Sequence, residues 1–241
     1  MTRAVPIRAA LVTTCYLLVG TPAFASSPGV VHAGSGAALY AANCAKCHGP
    51  NGEGRIAPAL RGVGARAADF YLRTGYMPLA RTGEQPARTR VLFSERELRQ
   101  LIAFVASLGG PPVPEPHPER GDLARGLRLF TSHCAGCHQV VAEGGFVTGA
   151  RVPPLDQATP TQIAEAVRIG PYLMPTFSER ALPDAQLDSI IRYVEYAKHP
   201  DDRGGWALGH VGPVPEGMVT WFLAVVALLA ACLLIGKRLE R

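Results

Sequence analysis

The sequence predicts a mainly α-helical fold in which two small tandem domains precede one transmembrane helix. Three observations predict it: a motif repeated at an offset of 90 residues, an amphipathic helix pattern after each copy, and an uncharged run at residues 218–235. Of the 241 residues, 48% are hydrophobic and 18% are charged, which excludes an intrinsically disordered chain. The 26 glycines and 21 prolines favour short helices joined by many loops.

The N-terminal segment has the features of an export signal. Arg3 and Arg8 precede an apolar stretch at residues 9–20, and an Ala-Phe-Ala cleavage pattern follows. We therefore expect residues 1–25 to be a cleaved signal peptide. Retention as a membrane anchor stays open, although the stretch is shorter than the roughly 20 residues that span a bilayer.

The first domain is predicted at residues 33–110. It begins with G-x-x-L-Y-x-x-x-C-A-x-C-H at residues 36–48, and a proline-rich loop and a Met-Pro pair follow. Ser94 and Glu97 form a capping box that opens the closing helix. The apolar face of this helix consists of Leu98, Leu101, Ile102, Phe104 and Val105.

The second domain is predicted at residues 119–199 and repeats the same order of features. Its copy of the motif, with Phe in place of Tyr, lies at residues 126–138, and its closing helix begins near Pro183 and Asp184. Five prolines at residues 111–118 predict a stiff linker between the domains. The apolar face of the second closing helix consists of Leu187, Ile190, Ile191, Tyr193 and Val194.

Residues 217–236 are predicted to form the transmembrane helix, joined to the second domain by a juxtamembrane segment at residues 200–216. The uncharged run extends roughly 27 Å as a helix, close to the thickness of the hydrocarbon core. The basic tail at residues 237–241 belongs on the cytoplasmic side of the cell membrane. Both tandem domains are therefore expected on the extracytoplasmic side.

The charge distribution argues against a nucleic-acid-binding protein. The net charge is +5, and much of it comes from the basic residues that flank the two apolar ends. Between them, residues 26–110 carry +5 and residues 111–236 carry −4. This asymmetry favours oriented docking to charged protein partners over binding to nucleic acid.

Each repeat contains a CxxCH motif, formed by Cys44, Cys47 and His48 in the first domain. The motif brings two thiols to one side of the chain for thioether bonds to a haem, and the adjacent histidine faces the iron. A zinc ribbon would need its cysteine pairs about 15–20 residues apart, and a thioredoxin-type pair would need no histidine in both copies. The sequence therefore predicts two covalently bound haem c groups. The second motif consists of Cys134, Cys137 and His138.

Met77 and Met174 are the predicted second axial ligands of the two haem irons. They lie 29 and 36 residues after the histidines of their motifs, each followed by proline, although either could simply fill a core gap. Pro58 in the first domain, and Pro153 or Pro154 in the second, are expected to offer a carbonyl to Nδ1 of the axial histidine. The remaining histidines are expected to be solvated: His32, His117, His133, His199 and His210.

Both domains resemble class I c-type cytochromes, in their CxxCH helix, Pro-x-Leu loop, Met-Pro loop and closing helix with an aromatic residue. The resemblance implies two tandem class I cytochrome c domains. It further implies that the first and last helices of each domain cross where a glycine meets aromatic residues. The residues that match this contact are Gly36, Tyr40 and Phe104 in the first domain and Gly126, Phe130 and Tyr193 in the second.

A narrower resemblance comes from the segment at residues 204–222, together with two haem domains before one C-terminal span. The chain looks like the dihaem cytochrome c subunits of the actinobacterial cytochrome bcc complex, a bc1-type complex that oxidises menaquinol. That resemblance implies a turn at residues 212–217, and a cytochrome b subunit, a Rieske iron–sulfur subunit and cytochrome aa3 oxidase as partners. It also implies an electron-transfer subunit of a quinol–cytochrome c reductase, with no catalytic site of its own.

Two alternatives stay open at this point. One is a dihaem electron carrier for another periplasmic dehydrogenase or oxidase. The other is a dihaem peroxidase, which would need an open or histidine-ligated haem, so that Met77 and Met174 argue against it.

Overall fold

The computed structural model describes residues 35–200 and 213–239 of the chain. The predicted signal peptide at residues 1–25 lies outside the described residues, as do His32 and His210. The described chain forms two helical modules and a long C-terminal helix.

The first module contains four helices. A short helix precedes the CxxCH motif, the motif itself forms one further turn, and two longer helices follow. Ser35 caps the short helix that precedes the motif, because its side chain accepts a hydrogen bond from the Ala38 N–H at 3.3 Å. Instead of one helix that ends in the motif, the chain breaks at Cys44, whose φ of −120° ends the first helix before the motif turn begins. The helices are α1 (Gly36–Asn43), α2 (Ala45–His48), α3 (Gly64–Arg73) and α4 (Glu95–Ser107).

The second module repeats this order and adds a β-hairpin. A 3-10 turn at Pro118–Arg120 leads into it from the linker. Its helices are α5 (Leu123–His133), α6 (Ala135–His138), α7 (Pro160–Ile169) and α8 (Asp184–Lys198). The hairpin pairs β1 (Gly145–Val147) with β2 (Ala150–Val152) in antiparallel register, with Phe146 opposite Arg151.

The closing helices α4 and α8 bury the faces that the sequence predicted. The capping box of Ser94 and Glu97 is present, and α8 begins at Asp184 after Pro183. In α4, Phe104 is half-buried while its four predicted neighbours are buried, and all five predicted residues of α8 are buried. The predicted start and apolar face of each closing helix are therefore confirmed.

The predicted helix crossings are also present. The rings of Tyr40 and Phe104 lie 4.7 Å apart between centroids, and those of Phe130 and Tyr193 lie 5.3 Å apart. A Cβ atom on Gly36 would overlap the carbonyl oxygen of Gln100, and one on Gly126 would overlap that of Ser189. Glycine is required in both places because the two helix backbones touch.

The two modules pack directly on each other through α3 and α7. The linker also contacts both modules, because Pro111 accepts from the Arg66 N–H at 3.3 Å and the His117 N–H donates to Asp188 at 2.7 Å. The predicted stiff spacer is therefore attached to the modules at both ends.

The last helix, α9 (Pro213–Leu239), contains the predicted membrane span. Its segment Gly217–Arg238 has a mean hydropathy of 2.7 over its most apolar part, and none of that part is buried by the rest of the chain. The resemblance implied a turn at residues 212–217, and this prediction is wrong for residues 213–217, which already belong to the helix. Proline is compatible with this start, since the first turn of a helix does not need its N–H groups.

Candidate cofactor sites in the two modules

The second module contains an open cleft that brings all four of its predicted haem-binding residues together. Cys134, Cys137, His138 and Met174 line this cleft, which encloses about 1310 Å³ with the solvent at its mouth included. Its other walls are mainly apolar, with contributions from α5, α7, α8 and the hairpin. A large planar macrocycle with one polar edge fits such a cleft.

The imidazole of His138 is oriented by a backbone carbonyl. Nδ1 of His138 lies 3.2 Å from the Pro153 oxygen, which leaves Nε2 as the ring nitrogen free for a metal. Pro153, and not Pro154, therefore provides the carbonyl that the sequence left open. Burial lowers the pKa of His138, which favours the neutral ring that a metal ligand needs.

In the first module, hydrogen bonds fix the predicted histidine and the loop of the predicted methionine separately. Nδ1 of His48 lies 2.7 Å from the Pro58 oxygen, as predicted. Met77 is half-buried on the loop after α3, where its N–H donates to the Tyr71 oxygen at 3.0 Å. The Tyr40 hydroxyl donates to the Gly49 oxygen at 2.7 Å and so fixes the end of the motif turn to α1.

The thiols of each motif lie close enough to influence each other. Burial raises the pKa of Cys44 and of Cys134 to about 11, and the second cysteine of each motif adds to the shift. The paired thiols of Cys134 and Cys137, which line the apolar cleft, fit attachment to the edge of a macrocycle.

Two features of the second cleft were missed by sequence reasoning. His133 is exposed, as expected, but it also lines the cleft, and its ring lies 6.0 Å from that of Phe177. The first module also contributes to the cleft wall. Its contributing residues are Phe70, Thr74, Tyr76, Gln85, Pro86 and Arg88.

Family models match both modules. The model described as "Cytochrome c" matches residues 33–109, and the model described as "Cytochrome C oxidase, cbb3-type, subunit III" matches residues 121–194. The predicted fold class, two tandem cytochrome c domains and a C-terminal membrane helix, is thereby confirmed.

Several curated proteins are similar along most of the chain. The cytochrome bc1 complex cytochrome c subunit of Corynebacterium diphtheriae is 37% identical over 221 residues, covering 83% of this chain and 79% of the relative. The subunit of the same name from Mycobacterium tuberculosis is 38% identical over 216 residues, covering 85% and 77%.

More distant similarities are also found. A cbb3-type cytochrome c oxidase subunit CcoP from Azospirillum sp. is 28% identical over 183 residues, covering 66% of this chain and 60% of the relative. The crystal structure of reduced recombinant cytochrome c4 from Pseudomonas stutzeri matches 66% of this chain and 95% of its own, at 22% identity and a TM-score of 0.24.

Proposed function

This chain belongs to the family of cytochrome c subunits of the cytochrome bc1 complex, and from that premise we propose that it relays electrons from the Rieske iron–sulfur protein to cytochrome aa3 oxidase during menaquinol oxidation. Membership alone makes it a membrane-anchored electron-transfer protein of that complex, with covalently bound haem c. The observation that carries the finer proposal is the duplicated CxxCH motif, each copy with its histidine on a proline carbonyl.

We assign one haem c to each module. In the first module, Cys44 and Cys47 would form the thioether bonds, and His48 and Met77 would be the axial ligands. When bound, each haem supplies a one-electron Fe(III)/Fe(II) couple. The corresponding residues of the second module are Cys134 and Cys137 for attachment, and His138 and Met174 for the iron.

The protein residues orient and enclose the cofactors. The carbonyl groups of Pro58 and Pro153 hold the histidine rings in one orientation, and the apolar walls of the cleft in the second module would limit the access of water to its haem. A methionine ligand in addition to the histidine would raise the reduction potential and close the iron to oxygen or peroxide. This ligand set favours electron transfer and disfavours a peroxidase.

The domain division and membrane orientation belong to the same proposal. Residues 33–110 and 119–199 are the two haem domains, residues 217–236 cross the membrane, and the haem domains face the extracytoplasmic side with the C-terminus in the cytoplasm. We assign no catalytic residue to this chain. Quinol oxidation and proton release would belong to the cytochrome b and Rieske subunits of the complex.

The match of residues 121–194 to a cbb3-type oxidase subunit favours a second candidate function. In that case the chain would be a dihaem carrier that delivers electrons to a different oxidase. The relatives of higher identity and coverage are bc1 complex subunits, which supports the first proposal over this one.

The two candidates differ in their partners. We would tag the full-length chain, solubilise native membranes in a mild detergent, and identify the proteins that copurify. The first proposal expects a cytochrome b, a Rieske protein and an aa3-type oxidase, and expects menaquinol to reduce both haems only while the Rieske cluster is intact. Copurification with a cbb3-type oxidase, or haem reduction without the Rieske cluster, would overturn it.

A further inference from the structure

The cleft of the second module is closed on one side by the first module. The residues that close it come from the end of α3 and from the loop that follows, which is also the loop that carries Met77. A site assembled from two modules depends on contacts that keep the shared wall in place, and the structure shows two of them.

The first contact is a pair of hydrogen bonds between Gln85 and the hairpin. The Gln85 amide nitrogen donates to the Arg151 carbonyl at 2.6 Å, and the Arg151 N–H donates back to the Gln85 oxygen at 3.1 Å. The side-chain amide thus pairs with the backbone of β2 as a neighbouring strand would. It fastens the Met77 loop of one module to the hairpin of the other.

The second contact positions a cation in the wall of the cleft. Nη2 of Arg88 donates to the side-chain oxygen of Gln162 at 2.9 Å, and the same oxygen accepts from the Thr159 N–H at 3.3 Å. Gln162 is buried at the start of α7, which lines the cleft one turn later with Ala166. The Arg88 guanidinium therefore has a defined place relative to the second module.

Tyr76 also lines the cleft, and its ring is half-buried. A guanidinium and a phenol hydroxyl in the wall of one cleft are donors suited to a carboxylate.

A haem has two carboxylate groups, its propionates, on an otherwise apolar ring. Burying a carboxylate against apolar walls is costly unless a cation or several donors compensate it. Arg151 also lines the cleft, but its guanidinium lies 6.0 Å from the centre of the Phe146 ring, which is 84% exposed at the outside of the hairpin. Arg88 is also an exposed residue, but its guanidinium is held against the buried Gln162 at the module boundary, which makes it the better placed cation for the carboxylate edge of the cofactor.

We propose that the first module supplies Arg88, together with Tyr76 from the same cleft wall, as the binding partner of a propionate of the haem held in the second module. The inference rests on the proposed function, because it needs a haem in that cleft. It assigns to the module boundary a role in cofactor binding: the second haem site is incomplete without the first module.

The test uses the full-length, detergent-solubilised protein with both haems. We would titrate the reduction potentials of both haems in the parent and in Arg88→Gln, and recognise the second haem as the one displaced by Met174→His. Removing a cation beside a propionate leaves negative charge that favours ferric iron. The Fe(III)/Fe(II) equilibrium of the second haem should shift three- to tenfold towards Fe(III), where tenfold is about 59 mV for one electron, while that of the first haem stays unchanged.

Two further variants keep this result specific. Arg90→Gln removes the same charge two residues along the chain, from a side chain that is not among those lining the cleft, and should leave both potentials unchanged. Arg88→Lys retains the cation and should restore most of the parent value. An unchanged second potential in Arg88→Gln, or an equal shift in Arg90→Gln, would overturn the inference.

The haem count separates this failure from failure of the proposed function. A parent protein with two covalent haems and an unresponsive second potential contradicts only the role of Arg88. A parent protein without covalent haem in the second module contradicts the proposed function, and the inference falls with it.

Discussion

The carboxyl group of Glu165 in α7 meets that of Asp69 in α3 at the boundary between the two modules. Glu165 is 0% exposed, and neither of its oxygens receives a hydrogen bond within the described residues. Asp69 already accepts from Nε of Arg73 at 2.7 Å. Burial, and then the charge of Asp69, raise the pKa of Glu165 to about 9, against the weaker opposing effects of Arg73 and Arg66. Glu165 is therefore protonated at neutral pH, and its proton allows a hydrogen bond between the two carboxyl groups.

This pair predicts that folding stability falls as the pH rises. Because the folded pKa of Glu165 lies above its unfolded value, the contribution is fully present below about pH 4.5 and is lost as the pH rises through about 9. Chemical denaturation of the holoprotein should show a loss of at least about 1 kcal/mol between pH 5 and pH 8 from this group.

Glu165→Gln is the matched variant, since its amide keeps a donor for Asp69 but does not titrate. Its free energy of unfolding should depend less on pH over that range than the parent's. Equal slopes in the two proteins would show that Glu165 does not hold a proton in the folded state.

The assignment of one haem to each motif predicts the outcome of removing one attachment site. Replacing both Cys44 and Cys47 by alanine should reduce the covalent haem from two groups to one per chain, since the second motif is untouched. Haem staining after denaturing electrophoresis and the pyridine haemochrome spectrum measure this. The paired variant of Cys134 and Cys137 should give the same count, and two retained haems in either variant would refute the corresponding attachment.

The axial-ligand assignments predict the effect of a stronger donor. Met77→His and Met174→His should each lower the potential of one haem by more than about 100 mV while keeping it low-spin, because imidazole favours ferric iron more than a thioether does. Redox titration followed by visible spectra measures both properties. If one variant titrates like the parent, its methionine is not an iron ligand.

The helix crossing in the second module predicts a large effect from a single methyl group. Gly126→Ala should lower the free energy of unfolding by about 3 kcal/mol or more, because its Cβ would overlap the Ser189 carbonyl and force α5 away from α8. Ala124→Gly, on the exposed side of the same helix, should cost only about 1 kcal/mol of helix propensity. Similar losses in the two variants would show that the crossing tolerates a wider separation.

The closing helices and the proline carbonyls could be predicted because each depends on a local pattern or on a spacing within one module, and the glycine contacts because the resemblance to class I c-type cytochromes implied them. The hairpin could not, since strands of three residues are too short for an alternating pattern to be recognised. The shared cleft wall joins Gln85 to Arg151, 66 residues further along the chain, through the side chain of one residue and the backbone of the other. Nothing in the periodicity of either segment marks such a contact, and a single glutamate such as Glu165 in an amphipathic helix is ordinarily assigned to the surface.

The C-terminal helix allows anchoring to be separated from docking to other subunits. Truncation before Gly217 removes the candidate span but leaves both modules and their linker whole, so we expect an exported dihaem protein with near-parent spectra that no longer sediments with membranes. An unrelated transmembrane helix in place of residues 218–235 restores the anchor alone. Because α9 exposes alanines at positions 224, 227, 230 and 231 that permit close helix contact, we expect the swapped protein to keep its haem content while quinol-to-oxygen electron flow in membranes falls at least about tenfold. Full activity in the swapped protein would show that the helix serves only as an anchor.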